Sequence, residues 1–320
     1  MKTIDVTALG ELLIDFTENG LSEQGNPILE ANPGGAPCNV LAMLTRLGRR
    51  TAFIGKVGRD LWGERLRQAV EEVGIDTRNL LMDDEVHTTL AFVRKKPDGD
   101  RDFAFYRNPG ADMRLSAAEV REDLIAQSRI FHFGSLSMTH ALGREATAAA
   151  LEMAKAHGCL ISFDPNLREP LWSSLDEAHD QIDFGLRRCD VLKISDNELQ
   201  WFTGKEDFDE GIAALQAEYA IPLILLSKGR DGSSAYYKDL RVDAAPFLQE
   251  NTVETTGAGD TFCACVLNYL LDHELDALTG DGLAEMLRFA NAAASIITTR
   301  KGALRVMPTR AEVEALLASR

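Results

Sequence analysis

Two hydrophobic periods alternate along the chain. Short apolar runs at residues 4–9, 51–54, 130–133, 160–164, 191–194 and 223–227 have strand length. Runs of this kind read as strands buried on both faces. Between them lie stretches with apolar residues every three or four positions, which predict helices. The first starts at Pro37 and passes through Val40, Leu41, Leu44 and Leu47 to Gly48. Others cover 61–73, closed by Gly74, then 143–157, closed by Gly158, then 176–188, a long stretch after Asp260, and 283–298. Ser116 with Glu119 forms a capping box before a short helix, and Thr309 with Glu312 opens a terminal one. Strands separated by helices imply a mostly parallel α/β sheet flanked by helices on both faces, in one domain over residues 1–320.

One region breaks the alternation. Residues 87–94 and 102–107 alternate apolar and polar positions around Pro97-Asp98-Gly99, a hairpin signal. With the extended stretch 12–17 they predict a small separate β-sheet lid, formed by about 11–35 and 86–112. Arg107-Asn108-Pro109-Gly110-Ala111-Asp112 leaves the lid and is expected to hang over the pocket.

Two stretches place glycines where a loop becomes a helix. Thr255-Thr256-Gly257-Ala258-Gly259-Asp260 opens the long helix, and Asn32-Pro33-Gly34-Gly35-Ala36-Pro37-Cys38-Asn39 opens the first one. The first N–H groups of a helix lack partners and carry partial positive charge, so glycines there let an anion approach. A carboxylate beside such an anion hole, Asp260, suits accepting the proton of a hydroxyl that attacks a phosphoryl group. Taken alone, the same residues are equally an ordinary helix entry with Asp260 as a cap-region acid. Asp15, among apolar neighbours in Gly10-Glu11-Leu12-Leu13-Ile14-Asp15-Phe16, is either a turn acid or a ligand for adjacent sugar hydroxyls. Asp15, Arg168, Glu198 and the Gly229 turn all follow strand ends, where open α/β sheets bind ligands.

Composition narrows the reading. Of 320 residues, 45% are hydrophobic and 26% charged, with a net charge of -16. So acidic a body argues against nucleic acid and anionic membranes as partners. The five cysteines (38, 159, 189, 263 and 265) lie in apolar segments and read as buried thiols of a cytoplasmic protein. No signal peptide or membrane span is expected. The six histidines show no metal spacing. Gly-x4-Gly-Lys-Ser/Thr, Gly-x-Gly-x-x-Gly after the first strand, and Gly-x-Ser-x-Gly are all absent.

Together these stretches resemble the PfkB/ribokinase family of carbohydrate kinases, over essentially the whole chain. The two glycine stretches resemble its two signatures. Gly10 to Phe16, Phe105-Tyr106-Arg107-Asn108-Pro109, Asp164-Pro165-Asn166-Leu167-Arg168 and Lys301-Gly302-Ala303 resemble its fructokinases. The resemblance implies a ribokinase-like fold and ATP-dependent phosphorylation of a sugar hydroxyl, D-fructose to fructose 6-phosphate. It implies that Asp260 is the base and that Gly257, Ala258 and Gly259 form the anion hole. Asp15, Gly34, Gly35, Asn39, Phe105 and Arg107 would surround the sugar, with Asn108 closing over it and Arg168 near the transferred phosphate. Lys193, Ser195, Ser227, Gly229, Gly232 and Asn291 would serve the nucleotide. Glu198 ends the family's Asn-x-x-Glu motif and would organise Mg²⁺ through water. Glu254, with carbonyls near Thr256, Ile297, Arg300 and Gly302, would mark a K⁺ site. The lid's strand edges are expected to pair two copies into a homodimer. The chain departs from the pattern twice: Ser195 stands where the motif has Asn, and Glu254 where relatives have Asp. Rival substrates are 2-keto-3-deoxygluconate, which wants another Arg in the pocket, and a nucleoside, which wants an aromatic slot. Arg107 and Phe105 keep both open. A catalytically silent sugar-binding regulator is a rival of another class.

Overall fold

A computed structural model describes residues 2–95 and 101–319. The hairpin tip expected at Pro97-Asp98-Gly99 lies outside them. The described strands are β1 (Ile4–Leu9), β2 (Leu13–Leu21), β3 (Pro27–Gly34), β4 (Thr51–Gly58), β5 (Asp76–Asp83), β6 (Leu90–Lys95), β7 (Arg101–Tyr106), β8 (Ser128–Gly134), β9 (Leu160–Asp164), β10 (Val191–Ser195), β11 (Leu223–Ser227), β12 (Ser233–Tyr237) and β13 (Leu240–Ala244). The helices are α1 (Ala36–Arg46), α2 (Leu61–Val73), α3 (Glu122–Ala126), α4 (Ala141–Ala156), α5 (Leu175–Leu186), α6 (Asp196–Thr203), α7 (Phe208–Glu218), α8 (Ala258–Asp272), α9 (Gly280–Ile297) and α10 (Arg310–Ala318).

Nine strands form the main sheet in the order β13-β12-β11-β10-β9-β8-β1-β4-β5. From β5 to β11 all neighbours run parallel, and β12 and β13 are added antiparallel at one edge. Every residue of β1 and β4 is buried, as a strand covered on both faces requires. The largest core cluster joins β1 and β4 to α1, α8 and α9 (Val6, Leu41, Phe53, Phe262, Leu287); a second joins β8–β11 to α4, α5 and α7 (Phe131, Ile161, Leu151, Ile182, Ile212). Burying each such side chain contributes about 1.5–3 kcal/mol.

Local chemistry sets the helix ends. Asp60 accepts the N–H groups of Trp62 and Gly63 at the start of α2, and Gly74 ends it in the left-handed conformation. α8 differs: its N-cap is Gly257, and among the described residues no side chain caps it.

The smaller sheet has the order β3-β2-β6-β7. β2 runs parallel to β6, and the outer pairs are antiparallel. Phe16 of β2 stacks on Phe92 of β6 at 4.8 Å and meets Trp62 of α2 edge-on at 5.1 Å, which seats this sheet on the main body.

Several elements differ from the periodicity reading. β5 carries the half-buried polar residues Asp76 and Thr77 because it is an edge strand with one open side, and its buried Asn79 is paired with the Glu119 carbonyl and the Arg121 N–H. β12 and β13 contain Ser233, Ser234, Arg241 and Asp243, which mask their pattern. β3 lies within the stretch 11–35 and forms a hairpin with β2, which itself runs on past residue 17 to Leu21. α6 and α7 are short helices whose apolar stripes are interrupted by acids.

Candidate active site

The C-terminal ends of β1 and β8–β11, the N-termini of α1, α6 and α8, and the small sheet enclose a cavity of about 670 Å³. The small sheet lines it with Leu13, Asp15, Thr17, Asn32, Val93 and Phe105. Gly34 ends β3, and the body supplies Gly35, Asn39, Arg168, Lys193, Glu198, Gly257 and Asp260. A second chamber of about 420 Å³ adjoins it and shares Ser227, Gly229, Thr255 and Gly259.

At one end, Asp15 on β2 faces the glycine pair that enters α1. A Cβ on Gly34 would lie 2.3 Å from Asp15 Oδ2, so the glycine lets that carboxylate sit directly against the backbone. Asn39, in the first turn of α1, is buried and donates Nδ2–H to Asp260 Oδ2 at 2.8 Å. Burial pushes the Asp260 carboxyl upward, opposed by the Asn39 bond and by the charges of Lys193 and Arg168. A carboxylate made more basic in this way is suited to taking a proton from a hydroxyl.

The other end sets an open helix N-terminus beside a buried lysine. α8 enters through Gly257 in the left-handed conformation, φ 76°, leaving its N-terminus open to the cavity. Lys193, buried on β10, donates to Asp164 at 3.0 and 3.1 Å from its two oxygens. Its Nζ also lies 3.2 Å from where a Cβ on Gly259 would be, directly against the helix entry. Burial pushes Asp164 up to about 6, with Lys193 opposing and Glu198 and Asp260 adding to the rise. Glu198 is held below the usual range despite burial, first by Lys193 and then by amides. Its Oε2 accepts the Ser195 N–H at 2.9 Å and hydroxyl at 2.8 Å, and its Oε1 accepts the Leu167 N–H at 2.8 Å. Both carboxylate oxygens are thus satisfied by the protein, which fits a fixed charge acting on a hydrated cation better than a direct ligand. Ser195 caps α6 in a reciprocal box with Glu198, and its hydroxyl is committed to that helix end.

Not every expected residue joins the cavity. The Arg107 guanidinium is buried and taken up by Asp112, Thr139 Oγ1 and the Leu136 carbonyl. It braces the segment leaving the lid and does not line the cavity, and neither does Asn108, which is exposed. Their position just after β7 resembles a pocket rim in sequence, but the chain turns inward only for Arg107. Ala258, Gly232 and Asn291 line the second chamber instead. The Ala258 N–H donates to Thr255 O, and the Asn291 side chain joins Ser233 to the carbonyls of Ala244 and Ala245. Of the cation set, Glu254, Thr256 and Gly302 line the main cavity. Ile297 and Arg300 line neither chamber; the Ile297 carbonyl accepts the Arg300 N–H, and the Arg300 side chain pairs with Glu312. Glu254 Oε1 accepts the Gly302 N–H at 2.7 Å. Glu11, Thr17, Asn32 and Asn166 also line the cavity; three of them lie in the stretches quoted above, but each is delivered by a different element, so spacing alone gives none of them a role.

The small sheet thus sits over a cavity that holds Asp15 at one end and Asp260 at the open N-terminus of α8, with a second chamber beside it, in an α/β fold. Residues 3–310 match the family model described as pfkB family carbohydrate kinase, and the chain belongs to that family. It is 41% identical over 315 residues to a protein named "Probable fructokinase-2" from Arabidopsis thaliana, covering 98% of this chain and 95% of that one. Among solved structures it is similar to a fructokinase with bound ATP from Xylella fastidiosa, with TM-score 0.90 and 28% identity over 100% of this chain and 99% of that one. It is also similar to a double-mutant fructokinase from Vibrio cholerae O395 in a fructose, ADP and potassium ion bound form, with TM-score 0.88 and 28% identity over 99% of each chain.

Proposed function

We propose that this chain phosphorylates D-fructose to fructose 6-phosphate with ATP and Mg²⁺. The observation that carries the reading is the Asn39–Asp260 hydrogen bond, 2.8 Å between residues 221 positions apart, which joins the sugar end of the cavity to the anion end. Asp15, Asn39 and the Gly34–Gly35 backbone hold the sugar hydroxyls. The small sheet closes above them through Val93 and Phe105 and limits water, suppressing ATP hydrolysis. Asp260 takes the hydroxyl proton as the sugar oxygen bonds to the γ-phosphorus. The bond from that phosphorus to the bridging oxygen breaks, and ADP leaves. The open N-terminus of α8 and the Lys193 ammonium face the charge that develops. Glu198 would hold Mg²⁺ through water, and the ion would neutralise the triphosphate. The second chamber, walled by Phe247, Leu248 and Ala294, would take the adenine.

The relatives named above support this substrate and donor. The engagement of Arg107 favours a neutral sugar over 2-keto-3-deoxygluconate, since its donors are already taken by Asp112, Thr139 and Leu136. Free, buried cysteines suit a cytoplasmic enzyme. Leu21, Ile28 and Leu29 are exposed on the lid hairpin, and we propose that they pair two copies as a homodimer.

A coupled ADP-release assay across fructose, glucose, ribose, 2-keto-3-deoxygluconate and nucleosides tests the reading. Fructose should have the highest kcat/KM. A tenfold preference for another sugar would overturn the substrate. Fructose binding without ADP release would overturn the enzyme.

A further inference from the structure

Glu11 is assigned no part in the reaction above, yet it is 2% exposed and lines the sugar end of the cavity. It lies between the end of β1 and the start of β2, where the chain leaves the body for the lid. Its Oε1 accepts the N–H of Ala36, the first residue of α1, at 2.8 Å. α1 has no cap of its own: Gly35 supplies no side chain, and no acid lies in the first turn. A carboxylate there satisfies an orphan amide and meets the positive end of the helix dipole. The two pieces are pressed together, since a Cβ on Gly35 would lie 2.4 Å from the Glu11 backbone carbonyl oxygen. In the same first turn, Asn39 reaches across to Asp260 at 2.8 Å. Glu11 Oε2 and Asn39 Oδ1 are both buried without a hydrogen-bond partner among the described residues.

We propose, resting on the sugar-kinase reading, that Glu11 is a positioning residue for phosphoryl transfer: its carboxylate fixes the N-terminus of α1, and α1 fixes Asn39 against Asp260. The groups facing Glu11 are Asp112 and Arg107 from the segment after β7, and Cys38 from α1. Burial pushes the Glu11 carboxyl up to about 7, with backbone amides and Arg107 opposing and Asp112 adding. Its charge therefore changes across neutral pH. The neutral acid is a weaker cap than the carboxylate, because the charge-assisted bond and the dipole contact are lost.

Glu11→Gln keeps the shape and an acceptor oxygen but cannot ionise. Turnover of fructose is measured from pH 5.5 to 9 for the wild type, Glu11→Gln, Asn39→Ala and the double variant, with thermal midpoints alongside. The wild-type to Glu11→Gln ratio of kcat should be about ten at pH 8, one charge-assisted bond's worth, and fall toward one below pH 6. The thermal midpoint at pH 8 should not fall, because the variant avoids burying a charge; a purely structural cap would lower it together with kcat. In the double variant the two losses should be less than additive. A pH-independent ratio, or additive losses, overturns the inference while leaving the kinase reading intact. Absence of ADP release by the wild type with every sugar would remove both.

Discussion

Replacing Lys193 with methionine removes a buried ammonium from the floor of the cavity while keeping a side chain of similar length. The ammonium lies 3.0 and 3.1 Å from the Asp164 oxygens and acts on Glu198 and Asp260 as well. At an effective dielectric near 20, one such pair is worth about 5 kcal/mol, and removing one partner of a buried pair costs about 3–5 kcal/mol. The cost depends on pH in a definite direction. Even with Lys193 in place, burial pushes Asp164 up to about 6. An acid raised on folding contributes stability that is full below its unfolded pKa, and this is lost as pH rises through the folded one. Without Lys193 the folded value climbs further, so the loss continues into the neutral range. The stability gap between wild type and Lys193→Met should therefore be about 1 kcal/mol near pH 5 and about 3 kcal/mol near pH 7.5. Urea unfolding at the two pH values reads both gaps. An equal gap at both, or one below about 1 kcal/mol at pH 7.5, would refute the placement of this lysine as the counter-charge of the acid cluster.

Asp260→Asn should lower kcat about a thousandfold, the weight of a general base, and leave fructose affinity by calorimetry within about threefold. Turnover within tenfold of wild type would exclude the base role. Gly35→Ala forces a Cβ to 2.4 Å from the Glu11 carbonyl oxygen at φ 123°, so it should cost at least about 2 kcal/mol in thermal unfolding and raise the KM for fructose. An unchanged midpoint and KM would contradict the close packing of that turn. Because the Glu254 carboxylate already accepts the Gly302 N–H at 2.7 Å, replacing K⁺ by choline should change kcat/KM by less than about threefold, under ~1 kcal/mol. A loss of activity beyond tenfold would show that the longer acid still holds the cation.

The parts of this molecule legible in its sequence are those where one residue type answers one local demand. β11 needed the apolar run Leu223–Leu226, and α2 needed Asp60 before it and Gly74 after it; all are written in neighbouring residues. The glycines at α1 and α8, and Asp260 beside them, were legible for the same reason. What escaped depends on partners far along the chain. β5 and β13 are strands because of where the sheet ends, and their own polar residues argue otherwise. Arg107 follows the lid directly, like a pocket residue, and only the fold brings Leu136 and Thr139 to occupy it. Ser195 departs from a motif that usually has Asn at that place, but its hydroxyl is taken by the Glu198 it precedes by three residues. The same reasoning applies to Glu11. Within its stretch it looks like one acid among apolar neighbours, and its cap on α1 exists only because residue 36 returns beside it after the lid hairpin has been made. The β2–β3 hairpin and the helix that presents Asn39 to Asp260 are thus tied at one carboxyl group, so the chain cannot set the hairpin's root without also setting the approach of Asn39 to Asp260.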